Sequence, residues 1–341
     1  AIVYGCLSGQ AGAGAVIDVI TGKVNPSGKL AETFPVKYED CPSASHFPGK
    51  QMTVEYREAL YIGYRYYDTA KVPVSYPFGY GLSYTTFEYS DLTVDEKGVT
   101  FKIKNTGEYD GAEIAQLYVG KKDGKIFRPA KELKGFKKVF IKKGETAAVK
   151  IAFDDKTFRY FNVKTDKWET EGGDYELYIG ASIADIRLES RISKTATTDV
   201  LPYDAELLPS YYGGKVSNVG DSEFTALLGR EIPKPGYEFY KRKRMVIHEN
   251  CTIADLRYSR RWIGRAFSGG VRFAIGFLRK TGHRTTANTL VMGVLHQPIR
   301  GMAKFGGMSR RQLEGMIMMF NGHFFKGLGR FLSKEKVKKT K

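Results

Sequence analysis

The sequence predicts an α/β segment, then an all-β sandwich, then an α-helical C-terminal region. Three observations carry this expectation: a glycine-rich stretch running into an apolar helix at the start, period-two apolar alternation from about residue 92, and two helix-capping patterns beyond residue 250. A chain of 341 residues has room for more than one core, because single domains commonly close at about 100–200 residues. Its 42% hydrophobic and 13% aromatic content is that of packed cores and argues against a disordered or fibrous chain.

The chain opens Ala1-Ile2-Val3-Tyr4-Gly5-Cys6, with no initiator Met and no basic leader, and reads as the last residues of a strand inside a domain. Gly9-Gln10-Ala11-Gly12-Ala13-Gly14 then leads into the apolar run Ala15–Ile20, with Gly22 placed as the C′ residue of a helix. Glycines at a strand-to-helix turn also suit dinucleotide phosphates. The full G-x-G-x-x-G spacing and the acidic residue about 20 positions on are missing, which weighs against that reading. Residues 21–87 combine Pro26, Pro35, Pro42, Pro48, Pro73 and Pro77 with a dense run of Tyr and Phe, and predict long ordered loops pinned by rings.

From residue 92 the pattern alternates, as in Val99-Thr100-Phe101-Lys102-Ile103 and Tyr175-Glu176-Leu177-Tyr178-Ile179. With turn signals at Asn105-Thr106-Gly107, Lys143-Gly144 and Glu171-Gly172-Gly173, this predicts a sandwich of about 100 residues. Pro202, Pro209, Gly213-Gly214, Pro233 and Pro235-Gly236 follow, and predict a linker over 195–250 that includes the basic run Lys241-Arg242-Lys243-Arg244. Beyond it, Thr252-Ile253-Ala254-Asp255 and Ser309-Arg310-Arg311-Gln312 fit capping boxes and predict helices from about 253 and 310. Leu313, Met316, Ile317 and Phe320 give the second helix an apolar face, and Asn321-Gly322 a stop.

The formal charge of +17 suggests nucleic acid until it is divided along the chain. Residues 240–341 hold 23 Lys and Arg against 4 acids, whereas the first 239 residues hold 31 against 33. Cys6, Cys41 and Cys251 are odd in number and far apart, which indicates neither a disulfide framework nor a thiolate metal site and fits a reducing, cytoplasmic setting. His46, His248, His283, His296 and His323 lack metal-ligand spacing, and neither a metal nor any other cofactor is expected. No apolar run reaches the roughly 18 residues that span a bilayer.

Three segments resemble the C-terminal portion of glycoside hydrolase family 3, the family of β-glucosidase-type enzymes. The first runs from Gly9-Gln10 to Asn25-Pro26-Ser27-Gly28-Lys29-Leu30-Ala31-Glu32-Thr33-Phe34-Pro35. The second is Tyr56-Arg57-Glu58-Ala59-Leu60-Tyr61-Ile62-Gly63-Tyr64-Arg65-Tyr66-Tyr67-Asp68 with Phe78-Gly79-Tyr80-Gly81-Leu82-Ser83-Tyr84-Thr85. The third, Leu117-Tyr118-Val119, Arg128-Pro129-Ala130-Lys131-Glu132-Leu133-Lys134-Gly135-Phe136 and Gly173-Asp174-Tyr175, is similar to the immunoglobulin-like (fibronectin type III-like) sandwich of that family. The resemblance divides the chain into the end of an α/β-sandwich domain over 1–88, the fibronectin type III-like domain over 89–194, the linker over 195–250 and a basic helical extension over 251–341.

What the resemblance implies is hydrolysis of O-glycosyl bonds by a retaining two-carboxylate mechanism. Its nucleophilic Asp would lie in a (β/α)8 barrel and its acid/base Glu in an upstream part of the α/β domain. This fragment is then expected to be inactive alone, with no catalytic residue of its own. A carbohydrate substrate and the missing barrel would be its partners. Asn25-Pro26-Ser27-Gly28 and Phe78-Gly79-Tyr80-Gly81 read physically as scaffold, since Pro fixes φ and Gly tolerates positive φ. Tyr56, Arg57 and Glu58 have two readings, as scaffold or as a sugar-binding rim where a ring stacks on a pyranose and charges bond its hydroxyls. The competing class of function is a non-catalytic carbohydrate-associated or interaction module. For the basic tail, packing on the rest of the protein or into a homo-oligomer is favoured over a membrane surface, and a specific nucleic-acid partner is not expected.

Overall fold

The computed structural model describes residues 2–47, 54–232, 245–301 and 307–333, which fall into two compact units, within residues 1–233 and 234–341. In the first unit α1 spans Gly12–Ile20 and ends where the Thr21 hydroxyl donates to the Ile17 carbonyl at 2.8 Å. Gly22 follows at φ +77°, as its C′ placement requires. Residues 2–6, expected to be a strand, form none. No strand among the described residues pairs with them, and an isolated run gains no ladder hydrogen bonds.

The short strands β1 (Phe34–Pro35) and β2 (Val74–Tyr76) pair antiparallel around α2 (Tyr64–Ala70). Rings pin the loops between them, with Phe34 5.4 Å from Tyr4 and 6.2 Å from Tyr76 by ring centres.

The sandwich is built from β3 (Phe87–Asp95), β4 (Gly98–Asn105), β5 (Gly111–Gly120), β6 (Glu132–Ile141), β7 (Thr146–Ala152), β10 (Gly173–Ser182) and β11 (Asp185–Lys194). A hairpin, β8 (Arg159–Asn162) with β9 (Lys167–Thr170), stands beside it. One sheet has the order β11-β10-β5-β6 and the other β3-β4-β7, all antiparallel. Alternation puts Val99, Phe101, Ile103, Leu117, Leu177 and Ile179 into a shared core with no measurable exposure. Strand β5 departs from simple alternation, because its outer face is covered as well. Gln116 donates to the Gly79 carbonyl at 3.2 Å and the Ala181 carbonyl at 2.7 Å, and the Tyr118 ring meets Tyr64 at 6.1 Å. Gly79 is required for this seam: its φ is +80°, and a Cβ there would stand 2.1 Å from Gln116 Oε1.

The stretch read as a linker over 195–250 is not one where it is described. Tyr211 on α3 (Pro209–Tyr212), Phe224 on α4 (Asp221–Leu228), and Leu208, Val216 and Val219 beside them enter a core with Tyr61, Tyr66, Tyr67 and Phe127. Phe127 sits among Tyr203, Tyr211 and Tyr212 at ring-centre distances of 5.2, 5.5 and 5.6 Å. The prolines and glycines there shape turns between buried side chains rather than a solvated tether. The basic run 241–244 and Pro233, Pro235 and Gly236 lie outside the described residues.

The second unit has its own core, in which Ile247, Ile253, Leu256, Ile275, Ile299, Leu313, Met316 and Phe320 are buried. Its helices are α5 (Trp262–Lys280), α6 (Arg284–Leu290), α7 (Arg310–Phe320) and α8 (Phe324–Leu332), with a π-helical turn at Val291–Leu295. The Ser309 box forms in full, Gln312 N–H donating to the Ser309 hydroxyl at 3.2 Å and Ser309 N–H to the Gln312 side chain at 2.8 Å. The Thr252 box also forms, with Thr252 N–H to Asp255 at 2.9 Å and Asp255 N–H to Thr252 at 3.1 Å. It caps only a 3-10 turn, Asp255–Tyr258, and the α-helix expected from 253 begins at Trp262. The architecture is therefore an α/β region, a β-sandwich and C-terminal helices.

Candidate functional site

The loop 54–62 carries the three residues singled out as a sugar rim, and the structure separates them. Tyr56 is 67% exposed, while Arg57 and Glu58 are both buried at 6%. The separation follows from a tight turn in which Ala59 N–H donates to the Tyr56 carbonyl and Tyr61 N–H to the Glu58 carbonyl, at 3.1 and 2.9 Å. Ala59 takes φ +48° to make it, a left-handed conformation that costs a non-glycine residue of order 1 kcal/mol.

Arg57 points inward to an acceptor set that the sequence did not announce. Its Nε donates to Glu55 at 2.7 Å, Nη1 to the Val219 carbonyl at 2.8 Å and Nη2 to Asp221 at 2.6 Å, while its Cζ lies 5.0 Å over the Phe224 ring. Burial alone would lower the guanidinium pKa, but the hydrogen bonds to Asp221 and Glu55 outweigh it and hold the pKa above its ordinary value. A buried cation unpaired in this way would cost several kcal/mol, so the partners from residues 219–224 are what permit the inward rotamer.

Tyr211 and Tyr61 extend the same lock. The Tyr211 hydroxyl donates to the Arg57 carbonyl at 2.9 Å, and the Tyr61 hydroxyl donates to the Tyr211 carbonyl. Burial pushes both hydroxyls well above the ordinary tyrosine range, Tyr61 gaining further from Tyr212 and Tyr211 from Glu223, so both remain donors at neutral pH.

Glu58 is left differently. Its Oε2 is buried and has no hydrogen-bond partner, and an unmet buried acceptor costs about 1–3 kcal/mol. Glu55 is committed to Arg57, so the loop does not present two open carboxylates. It offers contact and orientation instead. Two shallow depressions lie elsewhere, on the sandwich: about 540 Å³ over Glu88, Asp91, Lys102 and Lys104, and about 280 Å³ beside Asp154, Arg159 and Lys194. Both are lined by solvated charge. Among the described residues no group of three or more His, Cys, Asp or Glu is placed to hold a metal ion.

The partners that the sequence reading missed are Val219, Asp221, Phe224 and Tyr211. Gly220 before Asp221-Ser222-Glu223, and Gly229 at φ +64° after Leu228, were the available signals for a short helix with an acidic first turn. No local pattern says that this helix returns to residue 57.

Residues 1–84 match the family described as glycosyl hydrolase family 3 C-terminal domain, and residues 113–183 the fibronectin type III-like domain. The chain is 48% identical over 202 residues to thermostable β-glucosidase B of Acetivibrio thermocellus, covering 57% of this chain and 27% of that protein. It is 44% identical over 190 residues to the exo-α-(1→6)-L-arabinopyranosidase of Bifidobacterium breve, covering 54% of this chain and 25% of the relative. The crystal structure of a Bifidobacterium adolescentis family 3 β-glucosidase aligns with a TM-score of 0.54 at 39% identity, over 61% of this chain and 32% of that one. The chain thus spans about a quarter of the length of these curated relatives.

Proposed function

We propose that this chain, whose residues 1–84 match the glycosyl hydrolase family 3 C-terminal domain and residues 113–183 a fibronectin type III-like domain, is the scaffold-bearing portion of a β-glucosidase-type glycoside hydrolase. The whole enzyme cleaves O-glycosyl bonds of a carbohydrate substrate with two carboxyl groups about 5 Å apart, one as nucleophile and one as acid then base. Those two groups are carried on parts of the enzyme outside this chain. The observation that carries the reading is the match of residues 1–84 and 113–183 to these two domain models, beside 48% identity over 202 residues to a β-glucosidase.

The surface of the first unit supports it. Helix α1 has the sequence GAGAVIDVI, yet Ile17 and Ile20 are exposed, as are Ile2, Val3, Leu7, Val36 and Ile62. Exposed apolar side chains in this number are normally covered in the complete protein. In the complete enzyme they pack against the remaining α/β layer and the barrel. Tyr56, projecting from a loop fixed by Arg57, then stands at the substrate rim. The relatives' names include both a β-glucosidase and an arabinopyranosidase at similar identity over this region. Sugar selection accordingly lies in loops outside it. Free Cys6, Cys41 and Cys251 fit a reducing, cytoplasmic setting.

The test is hydrolysis of a panel of aryl glycosides by the purified 341-residue chain and by a protein in which it is preceded by a family 3 barrel. The chain alone is expected to stay at the buffer blank and the longer protein to turn over an aryl β-glucoside or a related glycoside. Turnover by the chain alone, or none on any glycoside by a folded longer protein, overturns the reading.

A further inference from the structure

Among the described residues, helix α5 packs one of its faces and leaves the other exposed. Gly264, Ser268 and Ile275 are buried on the side that meets the core of the second unit. On the opposite side Trp262, Ala266, Gly269, Gly270, Phe273 and Phe277 recur at helical spacing, all exposed, with Trp262 at 68%, Phe273 at 76% and Phe277 at 58%. Three aromatic rings in water along a helix about 28 Å long are a surface that something covers.

The charges beside the stripe select what covers it. Arg272 and Arg279 stand one heptad apart along one flank, both exposed, with Arg261 and Lys280 at the two ends, while Arg265 on the same flank donates to the Ser259 and Arg260 carbonyls at 3.1 and 3.4 Å. No Asp or Glu occurs between Asp255 and Glu314. Of the two nearest acids, Glu314 pairs with Arg310 and Arg330, and Asp255 caps Thr252. Two copies of this face brought together would set arginine rows of one sign against each other, which disfavours a homo-oligomer here. A nucleic-acid backbone would take the cations and leave the rings wet. A layer with anionic headgroups above an apolar interior satisfies both halves, taking the rings at the headgroup boundary while the arginines reach phosphate and carboxylate.

We propose that the exposed face of α5, comprising Trp262, Phe273 and Phe277 with Arg272 and Arg279, is a docking surface for anionic lipid, on which the helix lies in the plane of the headgroups. Among the described residues no helix is long and apolar enough to cross a membrane. This docking goes beyond the proposed hydrolytic role and stands independently of it. The sequence alone favoured a packed tail, and the exposure of the three rings is the observation that alters the balance.

The experiment is sedimentation of the full 341-residue chain with phosphatidylcholine vesicles, with and without about 30 mol% phosphatidylserine, at about 0.15 M salt. The chain is expected to sediment with the anionic vesicles and not with the neutral ones. Phe273→Glu with Phe277→Glu, and separately Arg272→Glu with Arg279→Glu, should each lower the bound fraction at least about tenfold. Neither pair should alter the circular dichroism melt, since all four side chains are exposed. In a Trp168→Phe background Trp262 is the sole tryptophan, and its emission should shift to shorter wavelength on the anionic vesicles. No sedimentation of the parent chain overturns the proposal, as does equal sedimentation of both variants. So does a dimer in light scattering that the phenylalanine variants dissociate while vesicles have no effect.

Discussion

At the scale of single residues, Tyr56, Arg57 and Glu58 were conspicuous in the sequence, but their division of labour was not. Burial of Arg57 depends on Val219, Asp221 and Phe224, more than 160 positions away, and no local pattern encodes a partner at that distance. The division is measurable. Arg57→Ala removes three charge-assisted hydrogen bonds and the packing of the guanidinium on Phe224, and should lower the unfolding free energy by about 2–4 kcal/mol. Asp221 is itself mostly exposed, so Asp221→Ala leaves Glu55 and Val219 in place and should cost only about 1 kcal/mol. Tyr56→Ala, at an exposed position, should stay within about 0.5 kcal/mol. Urea denaturation midpoints rank the three. A Tyr56 effect equal to that of Arg57 would mean that the ring is part of the lock and not free for a ligand.

At the scale of elements, the strands were legible because alternation and a half-buried sheet are the same fact: β4 buries Val99, Phe101, Ile103 and Asn105 and exposes Thr100, Lys102 and Lys104, as the pattern predicts. The two capping boxes show where such signals stop short. Both form the expected reciprocal hydrogen bonds, yet only Ser309 starts an α-helix. After Tyr258 the chain is drawn into a bridge, with Met245 N–H donating to the Tyr258 carbonyl at 3.0 Å and Arg260 N–H to the Met245 carbonyl at 3.1 Å. Those tertiary bonds replace the next helical ones. The pairing of α7 with α8 was likewise invisible, because it rests on backbone contact at glycines. A Cβ on Gly315 would stand 2.6 Å from the Gly327 carbonyl oxygen, and one on Gly327 2.5 Å from the Gly315 carbonyl oxygen. Gly315→Ala gains up to about 1 kcal/mol of helix propensity but must separate the helices, a net loss of about 1–3 kcal/mol. At Gly329 nothing lies within 4 Å, so Gly329→Ala should be neutral or stabilising. Amide hydrogen exchange across 310–332 reads both. Unchanged protection in Gly315→Ala would show that the two helices do not approach this closely.

At the scale of the whole molecule, the first unit contains two cores of different kinds. The sandwich core draws its buried members from residues 89–179 alone, so its strands answer to each other and its fold was readable from a continuous stretch. The second core joins residues 61–67 and 127 to residues 208–224 across the full width of the sandwich in sequence, with neither a period of two nor of 3.6 to mark it. This is why residues 195–232 read as a tether. The consequence concerns where the first unit ends. A chain stopped after residue 199 keeps every strand of the sandwich but loses Leu208, Tyr211, Val216, Val219 and Phe224, uncovering Tyr61 and Phe127 and leaving Arg57 without Asp221. Large aromatic side chains bury 150–250 Å² each, so exposing two of them forfeits on the order of 5 kcal/mol or more, enough to melt the local structure around them. In the shortened chain the amides of residues 57–74 should exchange at nearly unfolded rates, while those of β4, β5 and β10 stay protected. A chain stopped after residue 232 should protect both sets. If residues 57–74 were equally protected in the two chains, residues 200–232 would be a passive tether after all, and the loop bearing Tyr56 would owe its shape to the sandwich alone.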